Sequence, residues 1–157
     1  MIWTLWGFGS IISYRFGIKL LQKRAWNQRI YEDSPKTHQK KQGTPTMGGV
    51  FIFGSFLIGA LLLNKWNLTT LWVVATTGLF CLIGGIDDVL ALRKGKNKGL
   101  SAKAKFILQI TVSVAMVGIF YQWIKPIHWL EGALYVFLLT GTSNATNLTD
   151  GVDGLLG

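Results

Sequence analysis

Apolar residues along this chain fall into five blocks, residues 2–21, 47–63, 68–86, 106–124 and 129–142, separated by polar segments rich in charge. Each block lies near the roughly 20 residues that an α-helix needs to cross a bilayer core. The pattern predicts an all-α, polytopic membrane protein with about five transmembrane helices in a single helical membrane domain, residues 1–157. Arg15 and Lys19 sit near the exit of the first block, where long basic side chains reach back to the interface. Ser55 and Gly59 give the second block the small-xxx-small spacing that lets helices approach closely. Trp66, Trp72, Trp123 and Trp129 fall near block ends, as interfacial aromatics do.

Composition strengthens this reading. Half of the 157 residues are hydrophobic, with 7 Trp and 9 Phe, and the mean hydropathy is +0.37. That is too apolar for an ordinary soluble domain of this length. The net charge of +9 comes from 16 basic against 7 acidic residues. Its distribution points to a bilayer, because the basic residues alternate with the apolar blocks instead of forming one patch, which excludes a nucleic-acid binder. The loop at residues 22–46 carries Lys23, Arg24, Arg29, Lys36, Lys40 and Lys41, and residues 87–105 carry Arg93, Lys94, Lys96, Lys98, Lys103 and Lys105. The alternate loops carry only Lys65 and Lys125, so the positive-inside rule puts the N-terminus outside and loops 22–46, 87–105 and 143–157 in the cytoplasm. The opening MIWTLWGFGSII has neither a basic region nor a small-residue cleavage site and reads as an uncleaved first span. The single cysteine, Cys81, excludes an internal disulfide.

Candidate chemistry starts at LFCLIGGIDD, residues 79–88, where an apolar run ends in Asp87 and Asp88. Acids near a helix C-terminus oppose the macrodipole, at about 0.3–1 kcal/mol, and adjacent acids repel. Something positive is therefore expected beside them: a divalent cation such as Mg²⁺ held partly through phosphate oxygens, the following basic stretch, or both. Val89 to Leu92 are apolar, which predicts that the helix continues about a turn past the aspartates. Ser101 is a candidate cap for the next helix, with Lys103 and Lys105 in its first two turns, where an anionic ligand would offset their conflict with the dipole.

Two further clusters flank this one. In HQKKQGTPTMGG, residues 38–49, Pro45 stiffens Thr44 and Thr46 into an extended segment, Lys40 and Lys41 face what the loop contacts, and Gly48 and Gly49 permit close backbone approach. In TSNATNLTDGVDG, Asn144, Asn147, Asp150 and Asp153 recur every third residue, aligning two carboxamides and two carboxylates along one face of a helical or 3₁₀ segment. Carboxamides read a base or sugar; carboxylates bind hydroxyls, amines or metal.

GTPTMGG at 43–49, IDD at 86–88, GLSAKAK at 99–105 and NATNLTDGVDGL at 144–155 resemble, in order and across essentially the whole chain, the motifs of the phospho-N-acetylmuramoyl-pentapeptide-transferase family. This family is a branch of the polyprenyl-phosphate N-acetylhexosamine-1-phosphate transferases of bacterial plasma membranes. The resemblance implies Mg²⁺-dependent transfer of phospho-MurNAc-pentapeptide from UDP-MurNAc-pentapeptide to undecaprenyl phosphate, giving lipid I and UMP for peptidoglycan synthesis. It implies that Asp87 and Asp88 are the essential pair, Asp87 deprotonating or orienting the lipid phosphate and Asp88 supporting the metal–pyrophosphate geometry. By the same match, Lys105, with Lys103, neutralises phosphate, and Lys41, Thr46, Asn144, Asn147, Asp150 and Asp153 line the nucleotide–sugar cleft.

Ser34 departs from the family glycine and Thr37 from the family serine before His38. Family members have about twice this length, ten spans, a further metal-binding aspartate and a histidine-rich motif. The ending TDGVDGLLG stops in mid-motif, so an N-terminal half, inactive alone, is the expectation. Two alternatives stay open: a transferase for another UDP-N-acetylhexosamine, and a non-enzymatic membrane protein. A homodimer and the order of catalytic steps are left open as well.

Overall fold

A computed structural model describes residues 14–20, 47–63, 66–94 and 99–149. These are helical apart from short connections, and no strand occurs among them. Helix α1 covers residues 14–20, α2 Gly48–Leu63, α3 Leu68–Lys94, α4 Ala102–Trp123 and α5 Trp129–Thr149. The all-α class expected from the apolar blocks holds. Two helices, Leu68–Arg93 and Ala102–Trp123, are long and apolar enough to cross a membrane, and Gly48–Leu62 is a shorter apolar helix. Of the first expected span only α1 lies within the described residues. The last expected span is longer than its apolar block, since α5 continues unbroken through the polar residues to Thr149.

The chain forms two compact units, one of Met1–Lys65 with Gly84–Leu100 and the other of Trp66–Ile83 with Ser101–Gly157. Helix α3 contributes to both. In the first unit, α1 lies against α2 at Gly17, where an added Cβ would stand 2.6 Å from the ring of Phe51. Gly59 and Ala60 on α2 are buried, as the small-residue spacing leads one to expect.

In the second unit, capping explains where the helices begin. Asn67 Oδ1 accepts the N–H of Thr70 (2.8 Å) at the start of α3. Ser101 caps α4, its hydroxyl accepting the N–H of Ala104 at 3.2 Å. At α5, Glu131 Oε2 reaches back to accept the N–H of His128 at 3.1 Å while His128 Nδ1 accepts the N–H of Leu130 at 3.4 Å, an arrangement akin to a capping box. Several hydroxyls on these apolar helices are satisfied locally. Thr76, Thr77, Thr111, Thr142 and Thr146 each donate to the carbonyl four residues earlier, at 2.6–2.8 Å. That pattern suits surroundings that offer no water.

Helix α4 packs along α5. Near their short connection the contact is apolar, with Val117 buried and its Cγ1 3.6 Å from where a Cβ on Gly132 would lie. Toward the other end it is polar. Ser113 and Thr140, 0% and 6% exposed, share a hydroxyl–hydroxyl hydrogen bond of 3.0 Å. One turn on, Gln109, only 1% exposed, donates through Nε2 to Ser143 Oγ (2.9 Å) and accepts through Oε1 from Asn144 Nδ2 (2.8 Å). Interhelical hydrogen bonds of this kind are worth about 0.6 kcal/mol on average, and about 1.7 at most. Their register is therefore a stronger consequence than their energy.

Residues 68–83 of α3 join this unit through Trp72. Its ring meets Phe120 edge-on at 5.1 Å, Phe120 meets Tyr135 at 6.1 Å, and the indole Nε1 donates to the Met116 carbonyl at 2.7 Å. Trp72→Phe keeps an aromatic face for Phe120 but removes that donor. It is expected to cost about 0.5–1.5 kcal/mol, read as a lower unfolding midpoint in a micellar denaturant titration.

Candidate functional site

Each unit holds part of the candidate chemistry. In the first, α3 runs six residues past Asp88 to Lys94, so both aspartates sit inside a helix and neither ends it. Neighbouring residues on an α-helix project roughly 100° apart, and the two carboxylates accordingly face different segments. Asp87 Oδ1 accepts the N–H of Leu100 at 2.7 Å. Asp88 Oδ2 accepts the N–H of Met47 at 3.0 Å. Both carboxylates are only partly exposed, and each is oriented by a backbone donor.

Those donors depend on two special backbone positions. Met47, immediately before α2, has φ +69°, in the left-handed region that a residue with a Cβ adopts at a cost of order 1 kcal/mol. Gly99 lies so close to Asp87 that an added Cβ would come within 2.5 Å of the Asp87 carbonyl oxygen and also collide with the carboxylate. No side chain fits there without displacing the segment that supplies the Leu100 N–H. By contrast, Gly48 and Gly49, expected to permit close approach, stand in the first turn of α2. A Cβ on Gly48 would make only ordinary contact with Tyr14, 3.8 Å away, and one on Gly49 would meet nothing within 4 Å. Among the described residues of the GTPTMGG motif, the demanding position is therefore Met47. Sequence reasoning missed it, because methionine carries no signal for positive φ.

In the second unit, Lys103 is exposed on the first turn of α4. Lys105 Nζ donates to Asn147 Oδ1 at 2.9 Å, joining the lysine and carboxamide that the sequence separates by 42 positions. Asn144 is on α5 with Asn147, as the spacing of three requires. Its Nδ2 is engaged twice, donating to Gln109 Oε1 (2.8 Å) and to the Thr140 carbonyl (3.0 Å). Gln109 was also missed; an isolated glutamine in an apolar block is its only signal. Lys41, Thr46, Asp150 and Asp153 lie outside the described residues.

For a hard cation the donor chemistry is suitable though sparse. Asp87 and Asp88 supply two carboxylates, and no group of three or more His, Cys, Asp or Glu side chains occurs among the described residues. Magnesium often takes only one or two carboxylates from the protein, phosphate oxygens and water completing its shell.

Gly99→Ala is expected to release the Leu100 amide and raise its hydrogen-exchange rate by about tenfold or more, while Asp87→Asn, which keeps an acceptor oxygen, leaves the amide largely protected. Equal protection in Gly99→Ala and the unmodified chain would show that the close contact does not hold the loop.

Comparison with known proteins connects these positions. The model of glycosyl transferase family 4 matches residues 69–157, from the first turn of α3 onward. Residues 41–53, which include Met47, match phospho-N-acetylmuramoyl-pentapeptide-transferase signature 1. The chain is similar to proteins named phospho-N-acetylmuramoyl-pentapeptide-transferase. The one from Trichormus variabilis is 40% identical over 163 residues, covering 94% of this chain and 44% of that protein. Those from Bacillus mycoides and Prochlorococcus marinus are 38% and 35% identical, covering 88% and 98% of this chain and 48% and 47% of their own. The chain spans about half the length of these curated relatives. With more than half of its residues matched by the family model, the chain belongs to glycosyl transferase family 4.

Proposed function

We propose that this chain serves in the transfer of phospho-MurNAc-pentapeptide from UDP-MurNAc-pentapeptide to undecaprenyl phosphate, yielding lipid I and UMP for peptidoglycan synthesis. The reading places it in the bacterial plasma membrane, with loops 22–46, 87–105 and 143–157 on the cytoplasmic side, where a UDP-sugar is available. The observation that carries it is the pair of carboxylates on a long apolar helix, each oriented by a backbone N–H from a separate motif segment. A membrane helix has no structural need for two such acids, and intramembrane or border acids mark function by default.

The reaction forms a P–O bond between a lipid-phosphate oxygen and the sugar-bearing phosphorus, and breaks the pyrophosphate bond to UMP. Anion meets anion, so positive charge must stabilise the transition state and a carboxylate must manage any proton. Asp87, held at Oδ1 by the Leu100 N–H, keeps a fixed direction for accepting a proton from the lipid phosphate or orienting it. Asp88, held by the Met47 N–H, is fixed toward a different side of the helix and supports the pyrophosphate geometry. Lys105 supplies positive charge from a defined position because Asn147 holds its Nζ, and Lys103 adds a second, solvated charge. Lys41, Thr46, Asp150 and Asp153 complete the nucleotide–sugar contacts in this reading, and Asn147, beside Lys105, supplies a carboxamide. Mg²⁺ would be held by Asp87 or Asp88, which face different segments, with substrate phosphates completing its shell, and would neutralise charge on the pyrophosphate when bound.

The test is UMP release from UDP-MurNAc-pentapeptide by detergent-solubilised protein with undecaprenyl phosphate and Mg²⁺. It is run on this chain alone and on the chain co-expressed with the C-terminal remainder of the Trichormus variabilis relative. Release is expected from the co-expressed pair, and Asp87→Asn is expected to lower kcat by about 10²–10⁴-fold. UMP from UDP-N-acetylglucosamine but not from the muramoyl substrate would transfer the assignment to another sugar nucleotide. No UMP from either substrate, with folded protein, would end the transferase reading.

A further inference from the structure

The polar contact between α4 and α5 is more regular than packing requires. On α4, Lys105, Gln109 and Ser113 recur every four residues along one stripe. On α5 their partners run back in the opposite direction: Asn147 to Lys105, Asn144 and Ser143 to Gln109, Thr140 to Ser113. Gln109 is the middle rung and is almost wholly enclosed, at 1% exposure. Both atoms of its amide are used, Nε2 toward Ser143 and Oε1 toward Asn144.

The two helices do not need this ladder in order to associate. At the end nearer their connection, Val117 Cγ1 and Ile127 Cδ1 lie 3.6 and 3.7 Å from where a Cβ on Gly132 would stand, an apolar contact. The ladder occupies only the end that carries Lys105 and Asn147. A leucine at 109 would be the ordinary choice for an apolar helix and would bury as well. A glutamine there adds direction, because its amide is met by two adjacent residues of α5, Ser143 and Asn144: a rotation of α5 by one residue leaves at most one of them in place, and a half-turn removes both. Buried polar groups are best attested as devices that fix register.

We propose that Gln109 is a positioning residue. It fixes the rotation and register at which α5 presents Asn147 to Lys105, and Asn144 belongs to that ladder, its amide hydrogens directed at Gln109 and Thr140 and not at the ligand. The functional half of this inference rests on the transferase reading above. The structural half does not.

Three proteins separate the possibilities: the unmodified one, Gln109→Leu, and the exchanged pair Gln109→Asn with Asn144→Gln, which keeps an amide–amide contact of the same total length. Each is examined by amide hydrogen exchange and, co-expressed as above, by UMP release. Gln109→Leu is expected to leave exchange near Val117 and Gly132 unchanged, to speed exchange at residues 143–147 by about tenfold, and to lower kcat/KM by about 10²-fold, the usual consequence of a misplacement of about 1 Å. The exchanged pair is expected to recover protection at 143–147 and most of kcat/KM. Unchanged exchange at 143–147 in Gln109→Leu would overturn the ladder. Recovered protection without recovered kcat/KM would overturn the role given to Asn144 and make it a ligand contact. If the unmodified protein releases no UMP, the transferase reading fails, and the exchange measurement still decides whether Gln109 sets the register.

Discussion

A polar group enclosed among apolar helices must find its partner within the protein, because no water is there to take its place. Much of what is specific in this structure follows from that constraint. Gln109 meets it with two partners on α5, Thr76 meets it with a carbonyl of its own helix, Ser113 and Thr140 meet it with each other, and Trp72 meets it with the carbonyl of Met116. Apolar surface alone would let α4 and α5 slide and rotate at little cost. The polar rungs select one arrangement.

The same constraint shapes the aspartates. A carboxylate at the end of an apolar run is costly unless donors face it. Asp87 and Asp88 take theirs from main-chain N–H groups. A main-chain donor is set by backbone conformation and is indifferent to most side-chain changes, which shifts the sensitivity to positions where conformation or space is special. Those are Met47, with its positive φ, and Gly99, with no room for a Cβ. Neither residue has a side chain suited to proton transfer or ion binding, yet each helps to aim a carboxylate.

Much of the architecture was legible in the sequence, because the forces involved are local. Block length and apolarity gave α3 and α4, mostly apolar residues after Asp88 correctly extended α3, and a serine before a helix-forming stretch gave the cap at Ser101. The spacing of Asn144 and Asn147 also placed them correctly on one helix, although the end of the apolar block hid that α5 continues to Thr149. The reason is physical: hydropathy reports the surroundings of a segment, whereas helix continuation depends on backbone hydrogen bonds that polar side chains can also sustain.

The sequence by itself determined an all-α, membrane-type chain, its candidate acids and bases, and the motif order shared with glycosyl transferase family 4. Only the tertiary structure decided that the two adjacent aspartates are held by different segments, that Lys105 meets Asn147, and that Asn144 is engaged by Gln109. Periodicity is a property of one helix, readable from neighbours a few positions apart. These pairings join residues 13 to 42 positions apart, and their choice rests on which buried donor can reach which acceptor once the helices have packed.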